Sequence, residues 1–194
     1  MSYEKFSADN AAMLLIDHQV GTMSWVKSIS LDEMKQNALM LAQTARILKL
    51  PTVLTSSMEE YAQGPLLSEL GAILPTEFAG RIKRLGTVNA MDDENFAAAV
   101  KATGRKKLII AGVTNDVCTV YPALSLVRDG FEVQVVADAG GSPTQRADDI
   151  ALRRMERGGV TLTSTNQLIA ELAGSWATPE GNELIQVLMP SLHT

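Results

Sequence analysis

Five short apolar runs recur along this chain: "AAMLLI" (11–16), "TVLT" (52–55), "KLIIAGV" (107–113), "EVQVVA" (132–137) and "VTLTS" (160–164). They read as strands that are apolar on both faces, the pattern of a parallel sheet covered on each side by helices. "GRIKRL" (80–85) is a weaker sixth candidate. Helical periodicity fills the gaps, at 31–48 with Leu31, Met34, Ala38, Leu39, Ala42 and Ile47, and again at 94–102, 119–128, 144–156 and 166–173. Strands alternating with helices of this length form right-handed βαβ units. The expected fold is therefore α/β: a doubly wound, mainly parallel six-stranded sheet with helices on both faces. Its punctuation agrees, with "DDE" (92–94) offering caps before one helix and Gly104 and Gly130 placed where helices should stop.

A length of 194 residues suits one domain, 1–194, and no composition shift or linker divides it. Residues 174–194, with Trp176, Pro179 and "ELIQVLM", follow the last strand as an appendage that packs on the core or on a neighbouring subunit. The net charge of −5 leaves no Lys/Arg cluster for nucleic acid or an anionic membrane. "GRKKL" (104–108) reads instead as a solvated loop entering a strand. No run of 18 apolar residues occurs, and "MSYEKFSADN" lacks the regions of a signal peptide, so the expectation is a cytoplasmic protein. One cysteine and two histidines, His18 and His193, exclude a disulfide within the chain, a cysteine zinc cluster and a multi-histidine metal site.

In open parallel sheets, function collects at the carboxyl ends of the strands where strand order reverses. Three features fall there. Asp17 follows the first strand; alone, it reads equally well as a turn former. Lys83 and Arg84 end the third, where basic residues are usually solvated. "GVTNDVC" carries Cys118 just after the fourth strand, with Asn115 and Asp116 as capping types and Pro122 keeping the turn irregular. A lone cysteine is more often packing than chemistry. At a helix N-terminus, however, free amides and the helix dipole stabilise a thiolate. With strand order 3-2-1-4-5-6, strands 1 and 4 are adjacent, and Asp17 and Cys118 meet over one crevice. A base, a cation and a nucleophile then converge.

The blocks "AAMLLIDHQ", "RIKRLGTVNAM", "LIIAGVTNDVCTVYPALSLVRDGFEVQVVADA" and "GVTLTSTNQLIAEL" resemble the isochorismatase-like cysteine hydrolases. "DHQ" and "GTVNAM" resemble the YcaC-like branch, hydrolases of poorly defined substrate that assemble into rings. The resemblance implies a hydrolase that cleaves a C–N bond of a small amide-like substrate. Cys118 would be the nucleophile, giving a thioester, and Asp17 the acid that takes the thiol proton and later helps activate water. The basic member, usually a lysine a few residues before a pair such as Asn89-Ala90, falls on Lys83 or Arg84. Gap-free counting favours Arg84, whereas chemistry favours Lys83, because a guanidinium holds its proton too tightly to shuttle it. Strand alternation sends only one of them into the site.

The resemblance also implies a cis peptide at Val113-Thr114, aiming the Thr114 N–H, beside that of Cys118, at the oxyanion. Gln19, Met23, Trp25 and Asn89 are pocket candidates by position, Trp25 being equally suited to packing. Metal-binding members carry an Asp-x-His pair where this chain has "LTSSMEE", with Glu59 and Glu60 read as a helix start. No metal or cofactor is therefore expected, and a nicotinamidase assignment is weakened. The partners implied are a small-molecule substrate and copies of the same chain, in a ring-type homo-oligomer, an octamer being one form. Two rival readings stand beside the hydrolase. One is a thiol redox sensor or other non-hydrolytic regulator on the same fold. The other, a nucleotide-binding module, ranks last because no G-x-G-x-x-G or P-loop occurs.

Overall fold

A computed structural model describes residues 4–192 of the chain; His193 lies outside the described residues. Six strands, β1 (Ala11–Ile16), β2 (Thr52–Ser57), β3 (Ile82–Arg84), β4 (Lys107–Gly112), β5 (Glu132–Val136) and β6 (Thr161–Thr163), form one sheet in the order β3-β2-β1-β4-β5-β6. Every pairing is parallel. The doubly wound reading and its strand order both hold. Helices α1 (Val20–Ser24), α2 (Leu31–Leu48), α3 (Ser68–Ile73), α4 (Pro75–Ala79), α5 (Glu94–Ala102), α6 (Val120–Arg128), α7 (Gln145–Arg157), α8 (Thr165–Ala173) and α9 (Pro179–Leu192) complete the chain.

Strand β1 shows why the sheet is covered twice. All six of its residues are buried. Alternation sends Ala11, Met13 and Leu15 to one face, against Met34, Leu41 and Ala45 of α2 and Leu168 of α8. It sends Ala12, Leu14 and Ile16 to the other, against Phe96 and Val100 of α5 and Ala123 and Leu126 of α6. The caps work as read. Asp93 accepts from the amides of Asn95 and Phe96 at the start of α5, and Gly104 and Gly130 adopt φ of 67° and 85° just past α5 and α6.

Three short helices escape the sequence reading, because α1, α3 and α4 run only five or six residues and show no period. In the "GRKKL" segment, Lys107 is no solvated loop residue but the buried first residue of β4, paired with Glu132 at 2.8 Å. Helix α9 packs Leu184, Val187 and Leu188 on Met40 of α2 and Ile169 of α8. Among the described residues, no helix is long and apolar enough to cross a membrane.

Candidate active site

The register of the central strands sets three loops side by side. Ile16 of β1 lies opposite Thr55 of β2 and Gly112 of β4, and Ser57 of β2 lies opposite Arg84 of β3. Asp17 leaves β1 with φ 57°, a left-handed conformation that aspartate tolerates better than most residues. Its amide donates to the Thr55 carbonyl at 3.0 Å, and its carbonyl accepts from the Gln19 amide at 2.7 Å. The carboxylate is thereby held over the end of the sheet, only 1% exposed.

Arg84 meets it from β3. One guanidinium nitrogen, Nη2, donates to both Asp17 oxygens, at 2.5 Å to Oδ1 and closer still to Oδ2. Nε donates to Thr55 Oγ1 at 3.0 Å, and Nη1 donates to the Thr87 carbonyl at 2.5 Å. Arg84 too is 1% exposed. Lys83, its neighbour, points the other way and pairs with Glu59 at 3.0 Å, its side chain 56% exposed. Of the two candidates, Arg84 faces Asp17, whereas Lys83 is turned to Glu59 and solvent.

Cys118 arrives from β4 through a π-helical turn, Asn115–Thr119, in which the Thr119 amide donates to the Thr114 carbonyl, five residues back, at 3.0 Å. The Val113-Thr114 peptide is cis. Asn115, read as a cap, instead ties this turn to the loop beyond β5. Its amide group donates to the Ala137 carbonyl and to Asp148 Oδ1, each at 3.1 Å, and Asp148 also accepts from Ser142 Oγ at 2.7 Å.

The Cys118 thiol and the Arg84 guanidinium both act on the Asp17 carboxylate, so that one acid joins the two. Burial pushes the thiol pKa up to about 12, and the Asp17 charge beside it adds to that rise, against a weaker pull from Thr114 and Arg84. The thiolate expected at a helix N-terminus is therefore not the resting form. A dipole effect of about 0.3–1 kcal/mol yields to desolvation next to a carboxylate. Burial likewise raises the Asp17 pKa, opposed by Arg84 and by the thiol.

A cavity of about 210 Å³ opens above these groups, walled by Trp25, Met58, Val88 and Val117, with Thr22, Ser57, Gln63 and Thr87 contributing neutral polar surface. Of the residues named from sequence, Asp17, Arg84, Thr114, Cys118 and Trp25 line it. The other pocket candidates lie elsewhere. Gln19 is fully buried, its amide donating to the Ser57 and Gly64 carbonyls and its oxygen accepting from the Ser57 amide, which leaves nothing to offer a ligand. Asn89 caps the 3-10 turn Ala90–Asp92 and donates to Asp92 and Ser125. Met23 is in the core, and Val113 is buried behind Thr114.

Glu59 starts no helix; it gathers Ser56, Arg81 and Lys83 around one carboxylate. Among the described residues, no three His, Cys, Asp or Glu side chains gather as a metal site. Two holders of Arg84 were missed. Thr55 left a trace, a polar residue closing an apolar strand, but Thr87 acts through its backbone carbonyl, which any residue would supply.

An isochorismatase domain model matches residues 11–167. The chain is 42% identical to the probable hydrolase YcaC of Escherichia coli (strain K12) over 174 residues, 90% of this chain and 83% of that protein. The solved structure of YcaC from Pseudomonas aeruginosa, with hexane-2,5-diol and covalent acrylamide, aligns with TM-score 0.92 and 40% identity over 98% of this chain and 95% of that one. The Escherichia coli YcaC structure, described as an octameric hydrolase of unknown specificity, aligns with the same TM-score and identity over 98% and 94%. A domain match across most of the chain and 42% identity over 90% of it establish that the chain belongs to the isochorismatase-like hydrolase family, in its YcaC-like branch.

Proposed function

We propose that the chain hydrolyses a C–N bond of a small amide through a thioester on Cys118. The observation that carries this reading is the single Asp17 carboxylate shared by the Cys118 thiol and the Arg84 guanidinium at the floor of a pocket. The thiol is protonated at rest, so its proton passes to Asp17 as sulfur attacks the carbonyl carbon. The N–H groups of Thr114 and Cys118 receive the oxyanion. Protonated Asp17 then gives its proton to the departing nitrogen, and the amine leaves. Water, deprotonated by the same carboxylate, cleaves the thioester to release the acid and restore the thiol.

Arg84 shuttles no proton. Its guanidinium orients Asp17 and keeps it charged between the two half-reactions. Lys83 has no part in the chemistry, since its ammonium is turned to Glu59.

The same reading takes the chain as a ring-type homo-oligomer, in line with the octameric relative. Leu85, an apolar side chain left 94% exposed, suits burial between copies. The redox-sensor alternative is disfavoured by a thiol held protonated, because oxidation proceeds through the thiolate. The Pseudomonas aeruginosa relative holds acrylamide covalently, a small uncharged amide of the class proposed here. Screening an amide library with the wild type and Cys118→Ser tests the reading. Turnover is expected to fall at least a thousandfold in the variant, and full turnover in Cys118→Ser would refute it.

A further inference from the structure

We infer that this pocket selects small uncharged carbonyl compounds with an apolar acyl group and turns anionic ones away. The inference rests on the cysteine-hydrolase reading and adds the chemical class of its substrate. Size sets the first limit. At about 210 Å³ the cavity lies below the ~300–1,000 Å³ of sites for drug-sized ligands, so the substrate is small.

Charge sets the second. Asp17 and Arg84 are the charged residues lining the cavity, and they are spent on each other. A guanidinium has five N–H groups. Nε donates to Thr55, Nη1 donates to the Thr87 carbonyl, and Nη2 is held against both Asp17 oxygens, so each guanidinium nitrogen already has a protein partner. With all three nitrogens engaged and the group 1% exposed, the guanidinium presents no free edge for the two-pronged clamp that carboxylate recognition uses. An anionic substrate would meet Trp25, Met58, Val88 and Val117, with the Asp17 carboxylate beneath them and no cation to pair with.

Paired alkylating reagents of nearly equal size measure this without a known substrate. Iodoacetamide is neutral and iodoacetate anionic, and each transfers its group to sulfur with loss of iodide. Both are reacted with the full-length protein at pH 9, Cys118 labelling is followed by mass spectrometry, and the rate ratio is divided by that of a free cysteine peptide. The expected ratio exceeds the peptide's at least 100-fold in favour of iodoacetamide. Val88→Lys or Val117→Lys, each placing a cation at the exposed mouth, should narrow it at least tenfold. A ratio equal to the peptide's, with Cys118 labelled, overturns the selectivity while leaving the hydrolase reading in place. Faster labelling by iodoacetate than by iodoacetamide, measured against the peptide, likewise overturns the selectivity, and turnover in Cys118→Ser judges the hydrolase reading separately.

Discussion

Two acid–base clusters sit within a few residues of one another and differ in almost everything that matters for chemistry. At Asp17, a carboxylate and a guanidinium are both 1% exposed, and burial raises the acid's pKa despite the cation beside it. At Glu59, hydrogen bonds from Arg81 lead a set of contacts that lower the carboxyl pKa to about 2, while Lys83 remains more than half exposed. One strand supplies both cations, Arg84 on its inner face and Lys83 on its outer. Residue type did not decide which became part of a site. Burial did, together with Thr55 and the Thr87 carbonyl, which give the inner cation a hydrogen-bonded seat.

The sharpest way to break this contrast is to remove the base. Asp17→Asn should lower turnover of any identified amide by about 10²–10⁴-fold, the usual contribution of a general base, whereas Glu59→Gln should leave it within twofold. Steady-state rates on one substrate decide between them. The state of the thiol is the next largest effect. A pKa moved from 9.0 to about 12 leaves about a thousandfold less thiolate at pH 8 than a free thiol has, so the iodoacetamide rate should still climb at pH 10. A plateau below pH 8 would mean a stabilised thiolate after all.

Stability separates the two cations. Arg84→Met strands a buried carboxylate and should cost about 3–5 kcal/mol, read from urea unfolding. His18 adds a pH term of similar size beside the site. Its Nε2 is hydrogen-bonded to the Ala139 carbonyl, and full burial lowers its pKa from 6.5 to about 4. Between those values the unfolded chain binds the extra proton, so stability falls as pH drops through this window, by about 3 kcal/mol in total. His18→Gln should flatten that slope. Lys83→Met is the smallest change, below about 1 kcal/mol, because an exposed ion pair contributes little.

How much of this the sequence disclosed follows from where the information sits. The sheet was legible because β1 and β4 are buried on both faces and carry unbroken apolar runs. Asp17 and Cys118 were legible because strand order alone brings their loops together. Choosing Arg84 over Lys83 required knowing which face of a three-residue strand turns inward, and β3 is too short to show a pattern. The thiol's protonation state was misread because the dipole argument can be made from sequence, whereas the desolvation that outweighs it depends on three loops closing over one another. Gln19 and Asn89 look like pocket residues in a line of text; their amides are consumed by the Ser57 and Gly64 backbone and by Met91, Asp92 and Ser125.

The central claim is that Cys118 carries the acyl group of a substrate. Mixing the protein with an amide that it turns over, quenching in acid within one turnover and mapping the peptides by mass spectrometry tests it directly. The account expects the Cys118 peptide to gain the mass of the acyl half and lose it on further incubation. Product formed in that turnover with Cys118 unmodified would contradict it.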